Sequence, residues 1–331
     1  MNKLNYIGNQ FQLSGVEEYQ LTRGKANGMR IWHAKNGLGL DMYISLDRGF
    51  DIIALTYLGI NVSYLSPNGY VSPVYYDDKK DGFLKSFSAG FLTTCGLTQV
   101  GSNNCDLGED LPLHGTYSNI PASNYSFEEN DDEIILKGEI HDETIFSHKL
   151  VLVRKITISK QNNHFHIEDD IVNKGDIITP LSILYHMNIG YPFLSEDAKL
   201  YINSSSIKGR NEYAQEDIKN SYKVLVPTPK WIEKCYYHHF NNKQAFAGIY
   251  NEKINKGIII EFDSQNLDCF TQWNMFGIRD YVLGLEPGNS TPDGRSYLRE
   301  HNQLKFINPG ERKTFKIKVS LIEDKHQLED K

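Results

Sequence analysis

Two stretches hold residue types that could move protons. In Tyr281-Val-Leu-Gly-Leu-Glu-Pro-Gly-Asn289 an apolar run ends in Glu286, Pro287 and Gly288. A carboxylate backed by apolar residues is partly desolvated, which raises its pKa and suits it to general-base work. The Pro-Gly punctuation places Glu286 at the rim of a strand where a turn begins, and on this stretch alone the simpler reading is a glutamate that caps the turn and meets water. In Leu181-Ser-Ile-Leu-Tyr-His-Met-Asn-Ile-Gly-Tyr-Pro192, His186 and Asn188 stand two apart among Leu184, Tyr185, Met187 and Ile189. Strand geometry turns both to one face, as in a polar cleft lined from a sheet. The alternative is a histidine satisfied by neighbouring backbone in the core.

Other residues could serve a ligand. His114 precedes Gly115 in an irregular segment pinned by Pro112 and Pro121. Arg48, in Asp47-Arg-Gly-Phe-Asp51, either forms an ion pair at a turn or presents its fork of donors to an oxygen-rich ligand. Trp273 offers a stacking surface for a sugar ring, or packs in the core. His164 and His166 alternate on one strand face at a spacing some metal sites use, but no third ligand lies nearby in sequence.

Composition narrows the classes. Among 331 residues, 40% are hydrophobic and 23% charged, ordinary for a globular chain with a sizeable core. A net charge of −7 without a Lys/Arg cluster argues against nucleic acid as a partner. The first ten residues lack the apolar core of a signal peptide, and no apolar run approaches a membrane span. Four cysteines without Cys-x-x-Cys spacing are expected to be free thiols, mostly buried, in the cytoplasm. No Gly-rich phosphate loop, serine elbow or paired Cys/His zinc motif is present, which disfavours nucleotide- and metal-dependent chemistry.

The elements that must position these residues are strands. Period-two alternation is clearest in Glu133–Ile140, His148–Ser159 and His164–Val172, with Asn162-Asn163 and Asn173-Lys-Gly175 as turns. An antiparallel meander with one wet face follows. Further strands are expected over Leu38–Leu46, Gln244–Tyr250, Lys256–Phe262 and Lys313–Ile322, and a short helix over Glu212–Lys219, while Cys269–Phe276 leads through Gly277–Asp280 into the Tyr281 strand. Residues 61–82 form a long surface excursion, and the charged residues 323–331 form a frayed tail. The fold class is all-β: one large antiparallel sandwich of two packed sheets in a single domain, residues 1–331.

Five segments, in order along the chain, resemble the aldose 1-epimerases (galactose mutarotases) and related hexose epimerases. They are Asp47-Arg-Gly-Phe-Asp51, Phe91-Leu-Thr-Thr-Cys-Gly-Leu97, Leu113-His-Gly-Thr-Tyr-Ser-Asn-Ile-Pro-Ala122, Leu184-Tyr-His-Met-Asn-Ile-Gly-Tyr-Pro192 and Gly284-Leu-Glu-Pro287. The resemblance implies a large β-sandwich with an open cleft across one sheet. It implies that His186 is the general acid on the ring oxygen, Glu286 the general base on the anomeric hydroxyl, and His114 a substrate-binding residue. Arg48 takes the place of the family's cleft arginine, while the family's cleft aspartate has no match.

The function expected is a cofactor-free mutarotase that acts on a small sugar and needs no metal. The alternative is a carbohydrate-binding or regulatory protein that keeps the cleft without turnover. A metal-dependent isomerase using His164 and His166 is a third reading.

Overall fold

The alternation in Glu133–Glu143 builds the first layer. Its even-numbered residues are buried and its odd-numbered ones remain partly open, as one apolar face against a second sheet requires. The strand pairs antiparallel with Lys149–Ser159 over eleven residues, and that strand pairs in turn with His164–Asn173. Arg312–Ile322, Lys256–Asp263, Gln244–Asn251 and Ala198–Ile202 extend the sheet on one side and Asn124–Glu129 closes the other, for eight strands in all. The computed structural model describes residues 3–331.

The second layer carries the candidate site. Its six strands run in the order Ser206–Gly209, Lys234–His239, Cys269–Phe276, Tyr281–Gly288, Ser182–Ile189 and Leu92–Leu97, each antiparallel to its neighbours. A five-stranded meander from Gly15–Gln20 to Ile60–Asn61 covers part of the core. One contiguous apolar cluster joins the layers. Ile134, Leu136, Leu152 and Ile156 of the large sheet meet Ile183, Met187, Leu283 and Leu285 of the smaller one, with Trp32, Met42 and Leu55 from the meander. Each such side chain contributes roughly 1.5–3 kcal/mol by leaving water.

A buried ionic group sits inside this apolar layer. Arg154 is fully buried. It donates from Nε and Nη2 to the two oxygens of Asp169 at 2.9 and 2.7 Å, from Nη1 to Asp51 Oδ1 at 2.6 Å, and from Nη2 to Thr94 Oγ1 at 2.8 Å. Thr94 donates its N–H and hydroxyl to Asp51, and Tyr185 donates its hydroxyl to Asp169 at 2.8 Å. The two sheets and the Asp47–Asp51 turn are therefore joined through one guanidinium.

Several local expectations are revised. Asp47 pairs with Arg30 rather than with Arg48, accepting from the Arg30 N–H at 2.6 Å and from its guanidinium. Arg48 is buried and donates to the Val71 carbonyl at 2.8 Å. The helix expected over Glu212–Lys219 stops at Glu216 and gives way to a 3₁₀ turn, Ile218–Asn220. The terminal segment is not frayed: His326–Glu329 is a helical turn that buries Leu328 against Phe246, Tyr250 and Ile259. All four cysteines are unpaired, with Cys95 and Cys235 buried and Cys105 exposed. Among the described residues no helix is long and apolar enough to cross a membrane.

Removing one carboxylate from the Arg154 group leaves a buried charge short of its partner, which costs about 3–5 kcal/mol. Asp169→Asn is expected to lower the urea midpoint by a stability loss of that order, with an unchanged slope. A midpoint within error of wild type would show that the group is not holding the layers together.

Candidate functional site

Glu286 does not stand at a strand rim. It lies inside Tyr281–Gly288, between Cys269–Phe276 and Ser182–Ile189. The flanking pairs Met187–Leu285 and Leu184–Gly288 bracket His186 and Glu286, so the two face each other across the ladder. His186 Nε2 is 3.4 Å from Glu286 Oε1, and both side chains are buried. Alternation explains their direction: Tyr185, Met187, Leu283 and Leu285 enter the core, which sends His186 and Glu286 to the opposite face. Glycine at 284 makes room. A Cβ there would stand 2.3 Å from Glu286 Oε1 and 3.0 Å from Trp273 Cβ.

Both residues line a cleft of about 350 Å³, in the range of small-molecule sites. Its aromatic wall encloses the imidazole: Phe87, Trp273 and His114 have ring centroids 5.4, 5.2 and 5.6 Å from that of His186. His114 reaches the cleft from a left-handed backbone with φ of 61°, sparsely populated for any residue but glycine. That conformation is held by its N–H on the Gly101 carbonyl at 2.8 Å and by its carbonyl, which accepts from the Gly96 N–H.

The rim is charged. Arg210 is pinned through Nε to Asp293 at 3.1 Å and through Nη2 to Ser102 Oγ at 2.9 Å and the Pro292 carbonyl at 2.8 Å. Glu233 accepts from Trp273 Nε1 at 2.7 Å, fixing the indole, and Asp81 stands on the same rim.

Burial dominates the proton equilibria. It raises the Glu286 carboxyl well above the ordinary range, the Glu233 charge adds to the rise, and Arg210 opposes it. Burial lowers the His186 imidazole to about 4. His114 falls well below its usual value, first through burial and then through His186 and Arg210. Glu286 Oε1 and His186 Nδ1 are enclosed without a hydrogen-bond partner. Buried polar atoms are nearly always satisfied; the Asn188 side chain supports the imidazole, which leaves Glu286 Oε1 as the orphan with free bonding capacity beside the cleft.

Of the residues singled out in sequence, His114, His186, Trp273 and Glu286 line this one cleft. Asn188 does not; it is buried and donates to the His186 carbonyl at 2.8 Å, bracing the strand behind the imidazole. Arg48 does not line it either, and burial lowers its pKa to about 10. The cation at the cleft is Arg210. His164 and His166 are on the large sheet, with ring centroids 5.3 Å apart. Among the described residues no group of three or more His, Cys, Asp or Glu is placed to hold a metal. Arg210, Glu233, Thr271, Phe83 and Phe87 were not singled out. The only sequence signal available for the two phenylalanines was the length of the preceding excursion.

A family model described as "Domain of unknown function (DUF4432)" matches residues 26–321. Among solved structures, a candidate aldose 1-epimerase from Klebsiella pneumoniae is 26% identical, covering 95% of this chain and 85% of that one, with a TM-score of 0.88. A galactose mutarotase-like protein from Clostridium acetobutylicum is 14% identical over 94% and 99% of the two chains, TM-score 0.70. A galactose 1-epimerase from Lactobacillus acidophilus is 13% identical over 93% and 99%, TM-score 0.63. The latter two show a shared fold, the galactose mutarotase-like sandwich. No curated protein matches in sequence.

Because the Cβ of an alanine at 284 would overlap the carboxylate, Gly284→Ala is expected to displace Glu286 Oε1 from its position 3.4 Å from His186 Nε2. The crystal structure of the variant reads this directly. An unmoved carboxylate would remove the crowding argument.

Proposed function

The chain belongs to the DUF4432 family, and we propose that it is a cofactor-free sugar mutarotase in which Glu286 and His186 open and close a hemiacetal ring. The observation that carries the reading is the pair itself: a buried carboxyl and a buried imidazole 3.4 Å apart on adjacent strands, facing a cleft with an aromatic wall. The 26% identity to a candidate aldose 1-epimerase over nearly the whole chain supports it.

Ring opening needs one proton taken from the anomeric hydroxyl and one delivered to the ring oxygen. Glu286 accepts the first and His186 Nε2 donates the second as the bond between C1 and the ring oxygen breaks. Rotation about C1–C2 turns the aldehyde over, and the reverse transfers close the ring as the other anomer. Each proton transfer by a placed group contributes about 10²–10⁴-fold. His114 binds near the reacting centre, and Trp273, fixed by Glu233, gives the ring a stacking face. Four unpaired cysteines accord with a cytoplasmic setting.

Burial favours the neutral pair, a single proton held on Glu286, by raising the carboxyl and lowering the imidazole. The working arrangement holds the same single proton on His186 instead. A bound sugar favours that shift, since its hydroxyl donates to a carboxylate and its ring oxygen accepts from an imidazolium. A pair sharing one proton titrates as a unit.

Two expectations test the reading. Glu286→Gln is expected to abolish conversion of freshly dissolved D-galactose or D-glucose, followed by polarimetry, in a protein that unfolds at the wild-type urea concentration. Binding without turnover in wild type would instead support a carbohydrate-binding protein. The pH profile of kcat/KM is expected to be bell-shaped. As pH falls through about 4 the pair takes up a second proton and loses its base. As pH rises through the elevated Glu286 value it loses its only proton and hence its acid. A rate that does not vary with pH across both limbs would contradict the assignment.

A further inference from the structure

Another orphan atom lies on the same cleft floor. Thr271 is 1% exposed, and its Oγ1 is enclosed without a hydrogen-bond partner. It stands on Cys269–Phe276 directly opposite Glu286, and it lines the cleft. Cross-strand neighbours in register have Cβ atoms roughly 4.5–5.5 Å apart. Thr271 and Glu286 therefore leave the same face of the sheet and line the same cleft, so a ligand seated there meets both. On its other side Thr271 pairs with Tyr237, whose hydroxyl is committed to Asp293 at 2.7 Å and leaves Thr271 free. A buried hydroxyl left unsatisfied costs about 1–3 kcal/mol. Valine would fill the same space at a strand position without that cost.

We infer that Thr271 is a substrate-positioning residue that holds the anomeric oxygen, donating from Oγ1 to the atom whose proton Glu286 removes. This rests on the mutarotase reading above. As that proton leaves, negative charge grows on the anomeric oxygen before it becomes a carbonyl. A donor already in place stabilises that charge more than the ground-state hydroxyl. Thr271 therefore acts chiefly on kcat. It also selects sugars that carry a free anomeric hydroxyl, and glycosides with a substituent on that oxygen are excluded by the crowding of Thr271 and Glu286 around it.

The test compares wild type, Thr271→Val and Thr271→Ser with D-galactose and D-glucose by polarimetry. It adds binding of the matching 1,5-anhydro alditols, which lack the anomeric oxygen, by calorimetry. Thr271→Val is expected to lower kcat by about 10–100-fold with KM little changed, the effect of removing a donor to a charged atom. Thr271→Ser should recover most of that loss, and the anhydro alditols should bind both variants as they bind wild type. Three outcomes overturn the inference: Thr271→Val turning over at the wild-type rate, serine rescuing no better than valine, or valine weakening the anhydro alditols as much as it slows the free sugars. A wild type that converts neither sugar overturns the mutarotase reading first, and Thr271's role with it. An active wild type with an unaffected valine variant removes Thr271 alone.

Discussion

The guanidinium of Arg154 is the constraint on which the geometry of the cleft depends. It lies where an apolar side chain would be expected, and it satisfies four acceptor contacts from Asp169, Asp51 and Thr94. These come from the large sheet, the Asp47–Asp51 turn and the edge of the smaller sheet. Tyr185 adds its hydroxyl to Asp169. A buried ion pair is weak evidence for stability, because desolvation opposes the attraction. What it does supply is register. Tyr185 can reach Asp169 in only one alignment of its strand, and the next residue on that strand is His186. A slip of one residue would turn the imidazole into the core and Tyr185 into the cleft.

Two buried histidines differ in how fully their nitrogens are bonded. His238 and His186 are both lowered by burial to about 4. His238 is held at both nitrogens, by Ser204 at 2.8 Å and by Gln272 at 3.0 Å. His186 has only the Asn188 side chain to support its imidazole, with no partner inside hydrogen-bond distance at Nδ1, and its other nitrogen faces a carboxyl that is itself unsatisfied. The shift in proton affinity is the same; the unfilled bonding capacity differs. A fully bonded group spends its polarity on the fold, whereas an orphan group holds it in reserve for a ligand.

Most of the fold was legible because alternation with period two is strong in the long strands: Glu133–Glu143 and Arg312–Ile322 appear where the pattern puts them. The pairing of His186 with Glu286 was legible only through family resemblance, since a hundred residues separate them and local pattern carries no register. The same gap hid the Arg154 group. Its arginine and Asp169 are direct cross-strand partners, each in phase with the apolar face of its strand, and local pattern does not tell which partner a buried charge will meet. Arg48 failed for the opposite reason. Its neighbour Asp47 invited a local pairing, while the real partner of Asp47, Arg30, comes from an adjacent strand. Glu286 was placed at a rim because Pro287 reads as the end of a strand, but here the proline, opposite Phe270, lies within the strand near its end.

The cleft combines a dry floor with a charged rim, and the separation follows from the chemistry proposed for it. A carboxyl must be desolvated to take a proton near neutral pH, so nothing cationic can stand against Glu286 without pulling its pKa down. Arg210, the cation that does line the cleft, is tied at two of its nitrogens to Asp293, Ser102 and Pro292, and Asp293 offsets its charge. Glu233 and Asp81 add negative charge at the mouth, and Glu233 raises Glu286 further. A phosphate on the ligand would meet two carboxylates and an arginine already engaged with a third. On the proposed reading, the electrostatics that raise Glu286 also favour an uncharged sugar, so that one arrangement of charge would serve both the base and the choice of substrate.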